Sequence, residues 1–88
     1  MEGRSYRVVC HNGRRGSAAY ANSRSGAVRI AKAFVECYFV ANPRTLKKYG
    51  SFEAKSRVEL VNLVEGKIKY TVTIQRWDEA LGEYCLCG

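Results

Sequence analysis

The chain is poor in the groups that usually carry chemistry. Its 88 residues include one histidine, one proline, one tryptophan and one methionine. A single histidine, His11, leaves little side-chain acid–base capacity near neutral pH. It follows Cys10 on a stretch that reads as a strand, so the two side chains point to opposite faces and cannot form a nucleophile–base pair. The eight acidic residues are scattered, with only Asp78 and Glu79 adjacent. No glycine-rich phosphate loop is present, since Gly13-Arg14-Arg15-Gly16 is a turn without the rest of such a motif. No apolar run approaches the roughly 20 residues of a membrane-spanning helix. The opening MEGRSYRVV also lacks the apolar segment of a secretory signal, so a cytoplasmic protein with reduced thiols is expected. Neither catalytic residues nor a cofactor site are expected.

Metal binding fares little better. Cys10, His11, Cys85 and Cys87 would be the ligands, but structural zinc favours Cys-x2-4-Cys spacing. Cys85 and Cys87 instead stand about 7 Å apart along one face of a strand. With Cys10 and His11 facing opposite ways, at most three of the four can converge, and small thiols packed as apolar groups fit the pattern better.

The chain does have the composition of a folded domain, with 47% hydrophobic and 26% charged residues. Residues 1–88 are expected to form a single domain with one modest core. The net charge is +7 and unevenly placed: residues 1–57 hold twelve Lys/Arg against three Glu, and residues 58–88 hold three against five acids. Such asymmetry suits a polyanionic partner, either nucleic acid or an acidic protein surface.

The clearest local signal is RVELVNLVEGKIKYTVTIQRW, residues 57–77, in which two β-rich runs flank Glu65-Gly66. In the second run Ile68, Tyr70, Val72 and Ile74 share one phase and Lys69, Thr71, Thr73 and Gln75 the other, the alternation of a half-buried strand. The first run is less regular and suggests a strand covered on both sides. Upstream, Tyr6, Val8 and Cys10 alternate with Arg7, Val9 and His11 and run into Asn12-Gly13, a hairpin signal, with Ser17–Asn22 as the return strand. Ser23 and Ser25 offer helix caps. Ala27, Ile30, Ala31, Phe34, Val35 and Tyr38 then recur at helical spacing, opposite Arg29, Lys32 and Glu36. Asn42-Pro43 reads as a cap and first-turn proline opening at most a short helical turn through Tyr49. Beyond the 57–77 hairpin come a turn over 78–82 and a last strand, 83–87. The fold class predicted is α+β: an antiparallel sheet of about five strands with one amphipathic helix on one face, in the order ββαβββ. Either outer strand of the second hairpin satisfies the local pattern as the neighbour of the first.

Binding is therefore the function class the residues favour. Candidate contacts are Arg14 and Arg15 at the first hairpin tip, Arg24, Arg29 and Lys32 on the helix, and Arg44, Lys47, Lys48, Tyr49 and Lys55 on the connection that follows. Basic residues interleaved with aromatics suit phosphates and stacked bases. Trp77, in the wet phase of its strand, joins them as an aromatic contact residue of the type found at interface centres.

The layout resembles that of small phage-encoded anti-CRISPR proteins. The resemblance rests on the strand at Tyr6–Cys10, a return strand leading through AYANSRSG into a helix like AVRIAKAF, a meander with a VEGK turn, and a closing strand ending in cysteine. It implies a non-enzymatic inhibitor of host defence, acting in the host cytoplasm, that docks on a Cas protein or surveillance complex and blocks DNA targeting. Many such inhibitors are acidic DNA mimics. The +7 charge departs from that and favours an acidic Cas surface or a role that also involves nucleic acid. The first 36 residues are also similar to the arm-type DNA-binding domain of tyrosine integrases, although two strands precede the helix here instead of three. That similarity implies the alternative, a small basic DNA- or RNA-binding protein.

Overall fold

A computed structural model describes residues 5–41, 44–53 and 55–86. One helix, α1 (Arg24–Ala41), packs on an antiparallel sheet of six strands: β1 (Tyr6–His11), β2 (Gly16–Ala21), β3 (Leu46–Ser51), β4 (Arg57–Asn62), β5 (Lys67–Asp78) and β6 (Glu83–Leu86). This is the expected α+β architecture, with one strand more.

The organising element is β5, whose twelve residues are long enough to pair with three neighbours. On one edge β1 pairs with Thr71–Arg76. On the other, β4 pairs with the first half of β5 and β6 with Gln75–Asp78. The sheet order is thus β2-β1-β5-β4-β3, with β6 extending the β4 side. The first hairpin joins the second through β5.

Alternation along these strands decides which side meets the helix. Val8, Cys10, Val58, Leu60, Val72 and Ile74 project to one side and are buried with Ala27, Ala31 and Val35 of α1. Burial of this apolar surface is the main favourable term holding helix to sheet. Tyr38 of α1 stacks on Tyr70 with ring centroids 4.0 Å apart. Ser23 caps the helix, its hydroxyl accepting the Gly26 N–H at 3.1 Å.

Three departures from the sequence expectations have physical causes. The segment expected to form a helical turn through Tyr49 is instead strand β3, because Leu46 is drawn into the core and the backbone pairs with β4 over Leu46–Ser51. Asn42 and Pro43, on which that expectation rested, lie outside the described residues. Secondly, β4 is covered on one side only: Leu63 and Val64 belong to the turn beyond it and are exposed. Thirdly, Ile68 escapes the helix. The register shifts where Leu60 pairs with Tyr70 but Val61 pairs with Ile68, leaving Lys69 as the extra residue of a bulge. Ile68 is 53% exposed.

Candidate binding interface

The sheet face opposite α1 has no element packed over it among the described residues. Register places the side chains of Arg7 and Val9 (β1), Tyr20 (β2), Gln75 and Trp77 (β5), Arg57 and Glu59 (β4), Lys47 and Tyr49 (β3), and Tyr84 and Leu86 (β6) on this side. At one end they interlock. Trp77 meets Tyr84 edge to face at 5.1 Å, Tyr84 meets Tyr20 at 5.9 Å, and the Arg7 guanidinium lies 4.5 Å over the Tyr84 ring. Arg7 also donates two hydrogen bonds to Gln75 Oε1, at 2.8 and 2.6 Å. An arginine held by a side-chain acceptor and stacked on a ring is a preorganised, planar charge. Across the face the Lys47 ammonium stands 5.3 Å from the Tyr49 ring centre. Glu59 is the one acid among these side chains, and it is paired with Arg57 at 3.2 Å. The face is thus basic and aromatic.

At the far end of the sheet the β4–β5 hairpin forms an apolar tip. Leu63, Val64 and Ile68 are each more than half exposed, Val64 by 85%. Its shape comes from Asn62, whose Oδ1 accepts the N–H groups of Val64 and Glu65 while Gly66, at φ 70°, returns its N–H to the Asn62 carbonyl. Three large apolar side chains on an exposed turn form a patch with no role in this chain's own core.

Other sequence candidates are dispersed. Arg14 and Arg15 stand exposed at the β1–β2 tip, their N–H groups bonded to Asn12 Oδ1. Arg24 faces inward in part: its guanidinium donates to the Phe52 carbonyl at 2.9 Å and to Ser56 Oγ at 3.1 Å, tying the β3–β4 connection to the helix. Arg29 is exposed on the outer side of α1. Lys32 pairs with Glu53 at 2.6 Å. That ammonium and the Ser51 hydroxyl hold the Glu53 carboxyl down to about 2. Lys48 points to the helix side, where it joins Val35, Phe39, Phe52 and Val58 around a cleft of about 480 Å³. Arg44 and Lys55 are exposed. Of the predicted set, Lys47, Tyr49 and Trp77 share the open face, and Lys55 borders it, lining a concavity with Tyr49, Arg57, Glu59 and Leu86.

Arg7, Tyr20, Tyr84, Leu63, Val64 and Ile68 were not singled out from sequence. Tyr20 and Arg7 gain their meaning from the β1–β2 register and Tyr84 from the β5–β6 register. The exposed phase of Arg7, Val9 and His11 was the available signal, together with two adjacent apolar residues ahead of Glu65-Gly66.

Cys10 is buried beneath α1, and its burial pushes the thiol up. Its hydrogen bond with Tyr38 raises that phenol to about 12. His11 faces the other way, its Nδ1 accepting the Gly13 N–H at 2.9 Å. Cys85 lies on β6 across from Arg76, and burial followed by the Asp78 and Glu83 charges raises its thiol. Cys87 lies outside the described residues. Thiols held protonated in this way are poor nucleophiles.

Comparison with known protein families, with curated proteins and with solved structures gives no match to this chain.

Proposed function

We propose that this protein acts by stoichiometric binding, not catalysis, and that it docks on another protein through the apolar β4–β5 tip and the adjoining open sheet face. The observation that carries the reading is the exposed Leu63–Val64–Ile68 tip at the end of a basic, aromatic face. Apolar side chains supply the desolvated centre of a protein interface, while phosphate contacts have no use for them. The role we assign is that of a phage or mobile-element accessory protein inhibiting host defence by engaging a Cas protein or surveillance complex and blocking DNA targeting. That assignment is supported by the resemblance of layout and by the basic charge, which suits an acidic protein surface. Co-purification with a panel of purified Cas complexes, alongside protection of phage in cells carrying the same systems, tests it. A 1:1 complex that blocks target DNA is expected, and no complex with any system contradicts the assignment.

A second reading, binding of single-stranded DNA or RNA, is favoured by the Tyr20–Arg7–Tyr84–Trp77 cluster, because bases stack on aromatic rings beside cations, and here Tyr20 is exposed and Tyr84 and Trp77 half-buried. It predicts binding that falls steeply with salt and weakens when Arg7 and Lys47 are reversed in charge. No binding at low salt removes it.

A further inference from the structure

β2, β3 and β6 each pair with a single strand and so are outer strands of the sheet, and they are guarded very differently: β6 is only four residues long and carries Glu83. An outer strand leaves one row of N–H and C=O groups unpaired, and charge, proline or a kink normally keeps another strand from adding to it. β3 has such guards: Lys47, Lys48 and a backbone kink at Gly50, where φ is 93°. β2 reads Gly-Ser-Ala-Ala-Tyr-Ala, without charge, proline or bulge, and stays in unbroken register with β1 over all six residues.

The hydrogen bond from the Asn12 N–H to the Arg15 carbonyl marks Asn12 and Arg15 as a bonded pair. Antiparallel alternation then directs the backbone groups of Ser17, Ala19 and Ala21 towards β1, and those of Gly16, Ala18 and Tyr20 away from it. Among the described residues no strand covers that outer row.

We propose that β2 is a dimerisation edge, pairing antiparallel with β2 of a second copy about a two-fold axis between Ala18 and its mate. Gly16 then lies opposite Tyr20 of the other copy, and the outward groups make about six backbone hydrogen bonds. The edge is self-complementary, as an interface across a two-fold axis must be. It is uncharged, so two chains of +7 can meet there without like charges opposed. Antiparallel pairing also places the two Arg14-Arg15 tips at opposite ends of the shared ladder, about 20 Å apart for six residues at 3.3 Å each. A parallel arrangement would set them side by side. The side chains of Ser17, Ala18 and Ala19 are small enough to permit the approach, and α1 lies chiefly over β1 and β5, reaching β2 only in part. In the resulting continuous sheet both helices fall on one side. The two open faces fall on the other and merge at the axis, with a Tyr20 ring on each flank.

The test is the solution mass of the whole chain, by sedimentation equilibrium from micromolar to near-millimolar concentration. The mass is expected to rise from 9.9 kDa towards twice that value. Ala18→Pro removes an N–H that does not bond to β1, and Ala18→Lys sets two ammonium groups beside the axis. Both variants are expected to remain at 9.9 kDa with unchanged circular dichroism, and to melt as the wild type does at concentrations where the wild type is monomeric, while Lys48→Ala on the opposite edge associates as the wild type does. A wild type that stays at 9.9 kDa throughout, or Ala18 variants that associate as strongly as the wild type, would overturn the proposal.

Discussion

Gly50 illustrates how much a single position constrains the neighbourhood of the face. It holds φ at 93°, and a Cβ there would collide with the Arg57 carbonyl oxygen on β4. Gly50→Ala is therefore expected to cost about 2 kcal/mol or more, through left-handed strain plus displacement of the β3–β4 ladder. Gly66→Ala, with φ at 70° but open space around it, should cost only about 1 kcal/mol. Chemical denaturation of both variants checks the difference. Two ionisable groups give opposite pH signatures. Glu53, lowered to about 2 chiefly by Lys32, favours the folded state above the ordinary value of 4.5. That contribution fades as pH falls through the acid range and should vanish in Glu53→Gln. Tyr38, raised to about 12 chiefly by Cys10, favours the folded state fully below pH 10, and that contribution is lost as pH rises towards 12. Melting temperature against pH for Glu53→Gln and Tyr38→Phe, each compared with the wild type, reads both effects.

The elements divide into those with local causes and those without. α1 has its own cap and stripe, and replacing Ser23 by Ala should cost about 1 kcal/mol by stranding the Gly26 N–H. The β4–β5 and β5–β6 turns share one device: Asn62 or Asp78 accepts the N–H groups two and three residues on, and a glycine four residues on has positive φ. These elements were legible because the residues that form them are neighbours in sequence. β3 was not, since Lys47, Lys48 and Gly50 are poor strand formers and only pairing with β4 and the burial of Leu46 make them one. The β5 bulge was equally hidden. Alternation continues through Ile68 in sequence, and nothing local says that Lys69 will be skipped by the partner strand. Arg24→Ala should raise amide exchange at Phe52 and Ser56 selectively, because its guanidinium, alongside the Lys32–Glu53 ion pair, links that connection to α1.

At the scale of the molecule, the 57–77 stretch supplies the centre of the sheet, and its two ends supply different chemistry: an apolar tip at Leu63–Ile68 and an aromatic anchor at Trp77. Sequence placed Trp77 on an outward phase, whereas Lys47 and Tyr49, expected on a helical turn, owe their place on the open face to the pairing of β3 with β4. The partners that give Trp77 a setting, Tyr84 and through it Arg7 and Tyr20, come from strands far apart in the chain and could be brought together only by the fold. The basic residues spread over the hairpin tip, helix and connection do not converge, so total charge locates no site by itself; the register of the open face does.

The central claim is that the apolar tip and the open face bind a protein partner. Its most direct measurement is the affinity for a Cas complex recovered from the purified panel, compared among the wild type, Val64→Asp, Arg7→Glu and Arg29→Glu. Val64→Asp and Arg7→Glu are each expected to weaken binding by at least about tenfold, the scale of an interface anchor lost, while Arg29→Glu on the outer side of α1 leaves it within about twofold. Equal affinity for Val64→Asp, Arg7→Glu and the wild type would contradict the claim.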